Sequence, residues 1–249
     1  MTDNNQPPAN RSPLERALAG EYQFNIRQLF AEAQSLYKQH LGLLLKATGL
    51  LMAIGLGAMV IMINLLALDM TSMESMQSGN AGLLDIAMLV LMTPMIVGFR
   101  MLGVKLVSHK VTSINELFQY FPYILVLVTA NLLISLVMQV GLNLLILPGL
   151  YVYLVTQFSV VLLVEKRLGL LQSIILSARV TNRYLLPFTL LLLAFIMMFV
   201  LVLFTMGLAI LWVGPVYSLV MGRLYADLFG LDDAPQQIHP TKEDSILDA

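Results

Sequence analysis

The sequence predicts an all-α integral membrane protein with six transmembrane helices arranged as three hairpins, each preceded by a cytoplasmic amphipathic segment. Three observations carry this expectation. Of 249 residues, 58% are hydrophobic and only 12% charged, about half the charged share of a soluble domain. Long stretches lack Asp, Glu, Lys and Arg altogether. The Lys and Arg that remain fall into alternate loops.

The elements follow in chain order. Residues 1–12 (MTDNNQPPANRS) are polar and contain two prolines, as expected of a disordered tail. Residues 13–40 place Leu14, Leu18, Tyr22, Ile26, Leu29, Ala33 and Leu36 at helical spacing. Pro13 suits a first helical turn. The segment is too polar to cross a bilayer, so it is expected to lie on the cytoplasmic membrane surface. It is also too polar for a cleaved signal peptide.

A crossing helix needs about 20 apolar residues. Between Lys46 and Asp69 lie 22 uncharged residues, enough for one span. Only 14 lie between Asp85 and Arg100, but the apolar pattern continues through Met101, Leu102, Val104, Leu106 and Val107. Arg100 and Lys105 can reach the interface on their long stems, which makes a second span. The 48 uncharged residues from Glu116 to Glu165 hold two spans, and the 39 from Arg183 to Arg223 hold two more. The expected spans are 42–68, 84–105, 122–141, 144–164, 185–205 and 208–228. In the last hairpin, Pro215 offers a shorter alternative, with 206–213 as an apolar turn and Trp212 in the interfacial belt. Pro94 is expected to bend span two, and Pro148 to sit in a first helical turn. Stretches such as LLPFTLLLLAFIMMFVLVLF show no polar–apolar alternation, which excludes a β-barrel. The segment 232–249 reads as a second disordered tail.

Orientation follows from charge. Of 14 Lys and Arg, five precede or open span one, three follow span two, four follow span four and two lie at the C-terminal end. Asp69, Glu74 and Asp85 are the charges on the opposite side. Both termini are therefore expected in the cytoplasm, the opposite side being the periplasm if the source is a Gram-negative bacterium. Amphipathic segments at 13–40, 106–121 and 165–184 precede the three hairpins. NIRQLF at 25–30 echoes SINELF at 113–118, and SIILSA at 173–178 echoes them more weakly. These similarities fit either a threefold repeat or the common look of amphipathic helices.

The search for chemistry returns little. There is no Cys, and the net charge of −1 gives no reason to expect nucleic acid. His40, His109 and His239 have no partner at metal-ligand spacing. No nucleophile elbow or phosphate-binding loop occurs. Met70, Met73 and Met76 could collect soft Cu(I) with thioethers, but three of 16 Met in one loop is unremarkable composition. No cofactor is expected. The deep polar residues are amides and hydroxyls: Asn64, Thr93, Thr129, Asn131, Ser135, Gln139, Thr156, Gln157 and Ser159. They either bond between helices or line a polar cavity. Asn131 and Gln139 lie eight apart, roughly on one helix face. Gly49, Ala53 and Gly57, four apart, are candidates for close helix packing within the chain or between copies. Glu165, Lys166, Arg167, Ser177, Arg179, Thr181 and Arg183 are lipid or partner candidates, the four cations being suited to anionic lipid headgroups or serving simply as topology determinants. Arg223 and Asp227 are placed to pair at the inner end of span six.

The most distinctive stretch, Pro148–Leu186, reads PGLYVYLVTQFSVVLLVEKRLGLLQSIILSARVTNRYLL. Its Pro148–Gly149 turn, Glu165, Gly169 and Ser177-x-Arg179-x-Thr181 resemble the YciC-like family of bacterial inner-membrane proteins. They are also similar to the membrane domain of some glycerophosphodiester phosphodiesterases. PMIVGFRMLGVKLVSHKVTSINELF and LYADLFG fit the same pattern, and the resemblance covers roughly residues 20–230. It implies a six-helix membrane protein in envelope maintenance. With no phosphodiesterase domain in the sequence, that activity is not carried over. The leading expectation is a non-enzymatic protein that organises membrane lipids, a membrane-protein partner or its own homo-oligomer. The alternative is a small carrier or exporter of an apolar or amphipathic solute.

Overall fold

Helices make up all the regular structure in the computed structural model, which describes residues 12–66 and 79–231. Where 13–40 is expected as one helix, there are two. Helix α1 spans Pro13–Ala19 and α2 spans Ile26–Gln39. The Ser12 hydroxyl accepts from the Glu15 N–H at 3.3 Å, and the Glu15 carboxylate accepts from the Ser12 N–H at 2.9 Å. This reciprocal cap starts α1. Gly20, at φ +83°, ends it in the left-handed conformation that glycine adopts without strain. The Asn25 side chain accepts from the Gln28 N–H and starts α2.

The apolar stripe of α2 is spent inside the protein. Leu29, Ala33 and Tyr37 are buried. Polar side chains join α2 to the last helix, Ile210–Phe229: Glu32 pairs with Arg223 at 3.4 Å, and Trp212 Nε1 donates to Gln34 at 3.0 Å. The amphipathic face docks on protein.

The remaining helices are α3 (Leu41–Leu65), α4 (Gly79–Val107), α5 (Ile124–Leu144), α6 (Ile146–Thr156), α7 (Ser159–Glu165), α8 (Leu170–Arg183), α9 (Leu185–Phe204) and α10 (Ile210–Phe229). Two 3-10 turns, Ile114–Leu117 and Phe121–Tyr123, stand where an amphipathic helix over 106–121 is expected. NIRQLF and SINELF therefore differ in backbone, although each buries its central leucine, Leu29 or Leu117.

Five segments among the described residues are long and apolar enough to cross a membrane: 41–65, 82–107, 114–144, 146–165 and 185–204. The chain is a multi-pass membrane protein by this measure. The sixth expected span, α10, is not among the five. It carries Pro215, Ser218, Arg223 and Asp227, and it is enclosed by other helices. Val216, Leu219, Val220, Leu224, Tyr225 and Leu228 are each at most 1% exposed. A helix surrounded by protein does not need a lipid-soluble surface. Pro215 lies inside α10, so the shorter alternative beginning at Pro215 does not form.

The packing of α4 on α10 is backbone-close. A Cβ on Gly222 would stand 2.8 Å from the Gly103 carbonyl carbon, and one on Gly103 would stand 2.5 Å from the Ser218 carbonyl oxygen. Only glycine permits that approach. The expected small-residue face on α3 does not pack within the chain. A Cβ at Gly49 or Gly57 meets nothing within 4 Å, and Ala53 is exposed.

Candidate functional site

Helix geometry brings every third or fourth residue of α4 to one face. Leu89, Met92, Thr93, Ile96, Val97 and Arg100 thereby line one side of a slot. Asn131, Ile134, Ser135 and Met138 of α5 line another, and Tyr153, Thr156, Gln157 and Val160 close the third. The slot encloses about 420 Å³, within the usual range of ligand sites. From Leu89 to Arg100 it runs about 16 Å along α4, at 1.5 Å per residue. Its Leu89 end is apolar. Its Arg100 end gathers the polar groups. Ile96 and Ser135 are exposed at its mouth.

The polar end exists because the fourth expected span is broken. Helix α6 stops at Thr156 and α7 starts at Ser159, with a turn between. A break in an apolar span strands backbone carbonyls, which need partners where water is scarce. Side chains supply them. Arg100 Nη1 donates to the Gln157 carbonyl at 3.3 Å. The Ser177 hydroxyl, from α8, donates to the Val155 carbonyl at 2.6 Å, and the Thr156 hydroxyl donates to the Val152 carbonyl at 2.7 Å. Asn131 Nδ2 donates to the Thr93 hydroxyl at 3.4 Å across the slot.

Donors remain unspent. Arg100 Nε and Gln157 Nε2 are buried without a hydrogen-bond partner, as are the hydroxyls of Ser159 and Thr181. No Asp or Glu lines the slot. Among the described residues no carboxylate forms an ion pair with Arg100. The neighbouring cation Lys105 is neutralised by Glu116 at 2.7 Å. Among the described residues, the Arg100 guanidinium at the end of the slot is thus left without a carboxylate partner. The Tyr153 and Tyr217 hydroxyls lie 3.4 Å apart. The same two rings also line a nearly wholly apolar crevice of about 350 Å³ between α9 and α10, with Leu192, Phe195, Phe199 and Val213.

The structure sorts the expected site residues. Asn131 lines the slot. Gln139 does not: it is exposed on another face of α5. Eight residues advance a helix about 80° beyond two full turns, so the pair diverges. Asn64 donates to its own helix, to the Val60 carbonyl at 2.8 Å, and is exposed. Ser177 and Thr181 are fully buried, so neither can meet headgroups or a partner. Glu165 accepts from the Tyr225 hydroxyl at 2.6 Å, and Lys166 donates to the Phe229 carbonyl at 2.7 Å. These two tie the end of α7 to α10. Arg167, Arg179 and Arg183 remain exposed. Met70, Met73, Met76, His239, residues 1–11 of the expected N-terminal tail and the tail 232–249 lie outside the described residues, while Ser12 caps α1. Sequence reasoning missed Arg100, reading it as an interfacial cation, and missed the break at Gln157.

No protein family, no curated protein and no solved structure matches the chain in comparisons of sequence and fold. The resemblance noted in the sequence rests on the quoted residues alone.

Proposed function

We propose that this chain is a non-enzymatic inner-membrane protein, with six spans in three hairpins and both termini cytoplasmic. Its role in this reading is envelope or membrane-lipid maintenance, carried out by holding an amphipathic membrane molecule in the slot between α4, α5 and α6. The slot supports this most strongly. It is long, apolar over most of its length, polar at one end, and has a mouth at Ile96 and Ser135. Arg167, Arg179 and Arg183 add an exposed basic face suited to anionic headgroups or a membrane-protein partner. The outward Gly49–Ala53–Gly57 stripe is left for a second copy. The test is lipid retention by the full chain purified in mild detergent and read by mass spectrometry. Asn131→Leu with Ser135→Leu fills the slot and is expected to lower the bound lipid. Unchanged retention would reject the reading.

A small exporter or carrier is the second reading. It is favoured by the broken helix beside an ionisable group, a combination that transport sites use. Flux of an amphipathic solute into proteoliposomes above that of empty vesicles would select it.

A further inference from the structure

The slot's charge and shape go beyond a general lipid site. We infer that its occupant is an anionic phospholipid of the cytoplasmic leaflet, its phosphate seated on Arg100 and Gln157 and a chain running up the α4–α5 face. This rests on the reading of the slot as a lipid site.

The first argument is unmet charge. Arg100 is partly buried, and a cation drawn out of water is ordinarily paired, because desolvation is not repaid otherwise. Arg100 spends Nη1 on a backbone carbonyl, which carries no net charge, and leaves Nε buried and unpartnered. Gln157 Nε2, from the same lining, is a second donor without a partner. A guanidinium faced by no carboxylate, with an amide donor in the same lining, suits the oxygens of a phosphate. No acidic side chain in the lining competes for them.

The second argument is polarity along an axis. The unspent donors sit at the Arg100 end. Above them Thr93 and Asn131 satisfy each other. Beyond these the walls are Leu89, Met92, Ile134 and Met138, with the Ser135 hydroxyl spent on the Asn131 carbonyl of its own helix. Polar groups at one end and hydrocarbon at the other reproduce the order of groups in a phospholipid. In the proposed orientation the C-terminal end of α4 faces the cytoplasm. Arg100 is seven residues, about 10 Å, short of that end. The charged end of the slot then lies toward the inner headgroup layer.

The test is native mass spectrometry of the full chain in detergent, with phosphatidylglycerol and phosphatidylethanolamine offered in equal amounts. The wild type is expected to retain the anionic lipid about fivefold over the zwitterionic one, the factor that one near-surface basic residue supplies. Arg100→Gln is expected to bring that ratio to about one, and Arg100→Lys to keep part of it. Equal retention by the wild type, or an unchanged ratio in Arg100→Gln, would overturn the inference. Displacement of the bound lipid by millimolar inorganic phosphate would overturn it too, assigning the donors to a free anion. If Arg100→Gln does not fold, Gln157→Leu removes the second donor, and an unchanged ratio there is equally contrary. Loss of both lipids in the slot-filling double variant, with no headgroup preference in the wild type, would leave the lipid site standing and remove only its anionic character. No loss of either lipid in that variant would remove the site itself.

Discussion

Arg100 Nη1 donates to the carbonyl oxygen of Gln157 at 3.3 Å, which fixes a cation of α4 against the broken turn between α6 and α7. The break and the partly buried charge answer each other. The turn leaves a carbonyl for the guanidinium, and the guanidinium removes the cost of leaving that carbonyl unpaired. What the carbonyl does not supply is a counter-charge, and from that deficit the reading of the slot follows.

The break depends on α8 as well. The Ser177 hydroxyl is its nearest brace, donating to the Val155 carbonyl. Ser177→Ala is expected to destabilise the protein by about 1 kcal/mol, the usual worth of one such bond, and by more if the carbonyl stays dry. The exposed neighbour Arg179→Ala is expected to change stability by less than about 0.5 kcal/mol. Thermal melts in detergent compare the two. Equal effects would mean that the brace does not matter.

The contact of α4 with α10 makes a sharper contrast. Gly222→Val forces side-chain atoms into the Gly103 backbone and is expected to cost about 1–3 kcal/mol or more. Gly49→Ala and Gly57→Ala meet open space and are expected to be neutral or slightly stabilising, since alanine favours helix. A cross-linking assay of oligomeric state separates the remaining role. If α3 packs against a second copy, bulky residues at Gly49 and Gly57 will lower the oligomer without lowering the melting temperature of the monomer.

Removing the partner of a buried carboxylate is expected to be costly. The Glu116 side chain is 6% exposed and meets Lys105 at 2.7 Å. Lys105→Met strands that charge and is expected to cost about 3 kcal/mol, the low end for a buried pair because Lys105 is itself partly exposed. Adding Glu116→Gln is expected to recover part of the loss. A double-mutant cycle of melts checks it.

Alkaline pH acts through Tyr22. Its hydroxyl donates to Asp227 at 3.0 Å. Burial first, then the Asp227 charge and hydrogen bond, raise its pKa above the ordinary 10.0. In the folded state the phenol stays protonated where the unfolded chain has lost the proton. The contribution is therefore fully present below pH 10.0 and is lost as pH rises toward the folded value. The stability of the wild type is expected to fall more steeply above pH 10.0 than that of Tyr22→Phe, by denaturant titration at stepped pH. Parallel slopes would contradict this.

Five of the spans were legible because they are runs in which charge is absent and no fold but a membrane helix accommodates them. The helix expected as a sixth span was legible in position, since 208–228 matches Ile210–Phe229, which is not among the five apolar spans. Its surroundings were not, because enclosure by protein leaves no mark on a single helix. The split of 13–40 had signals in Ser12–Glu15, Gly20 and Asn25, overridden in the reading by the continuous apolar stripe. The break at Gln157 had none: VTQFSV contains neither Pro nor Gly. Arg100 was misread because a cation near a span end has the same sequence signature whether it reaches outward to headgroups or inward to a carbonyl. Only the placement of α6 decides which.

The membrane sidedness of the loops bears on everything above, and cysteine labelling reads it directly, because the sequence contains no Cys and each introduced thiol is a unique probe. Single replacements Ser72→Cys and Met206→Cys are expected to react with a membrane-impermeant maleimide on spheroplasts. Ser113→Cys and Arg167→Cys are expected to react only after the membrane is opened. Reaction of residue 72 and residue 167 from the same side would contradict the account.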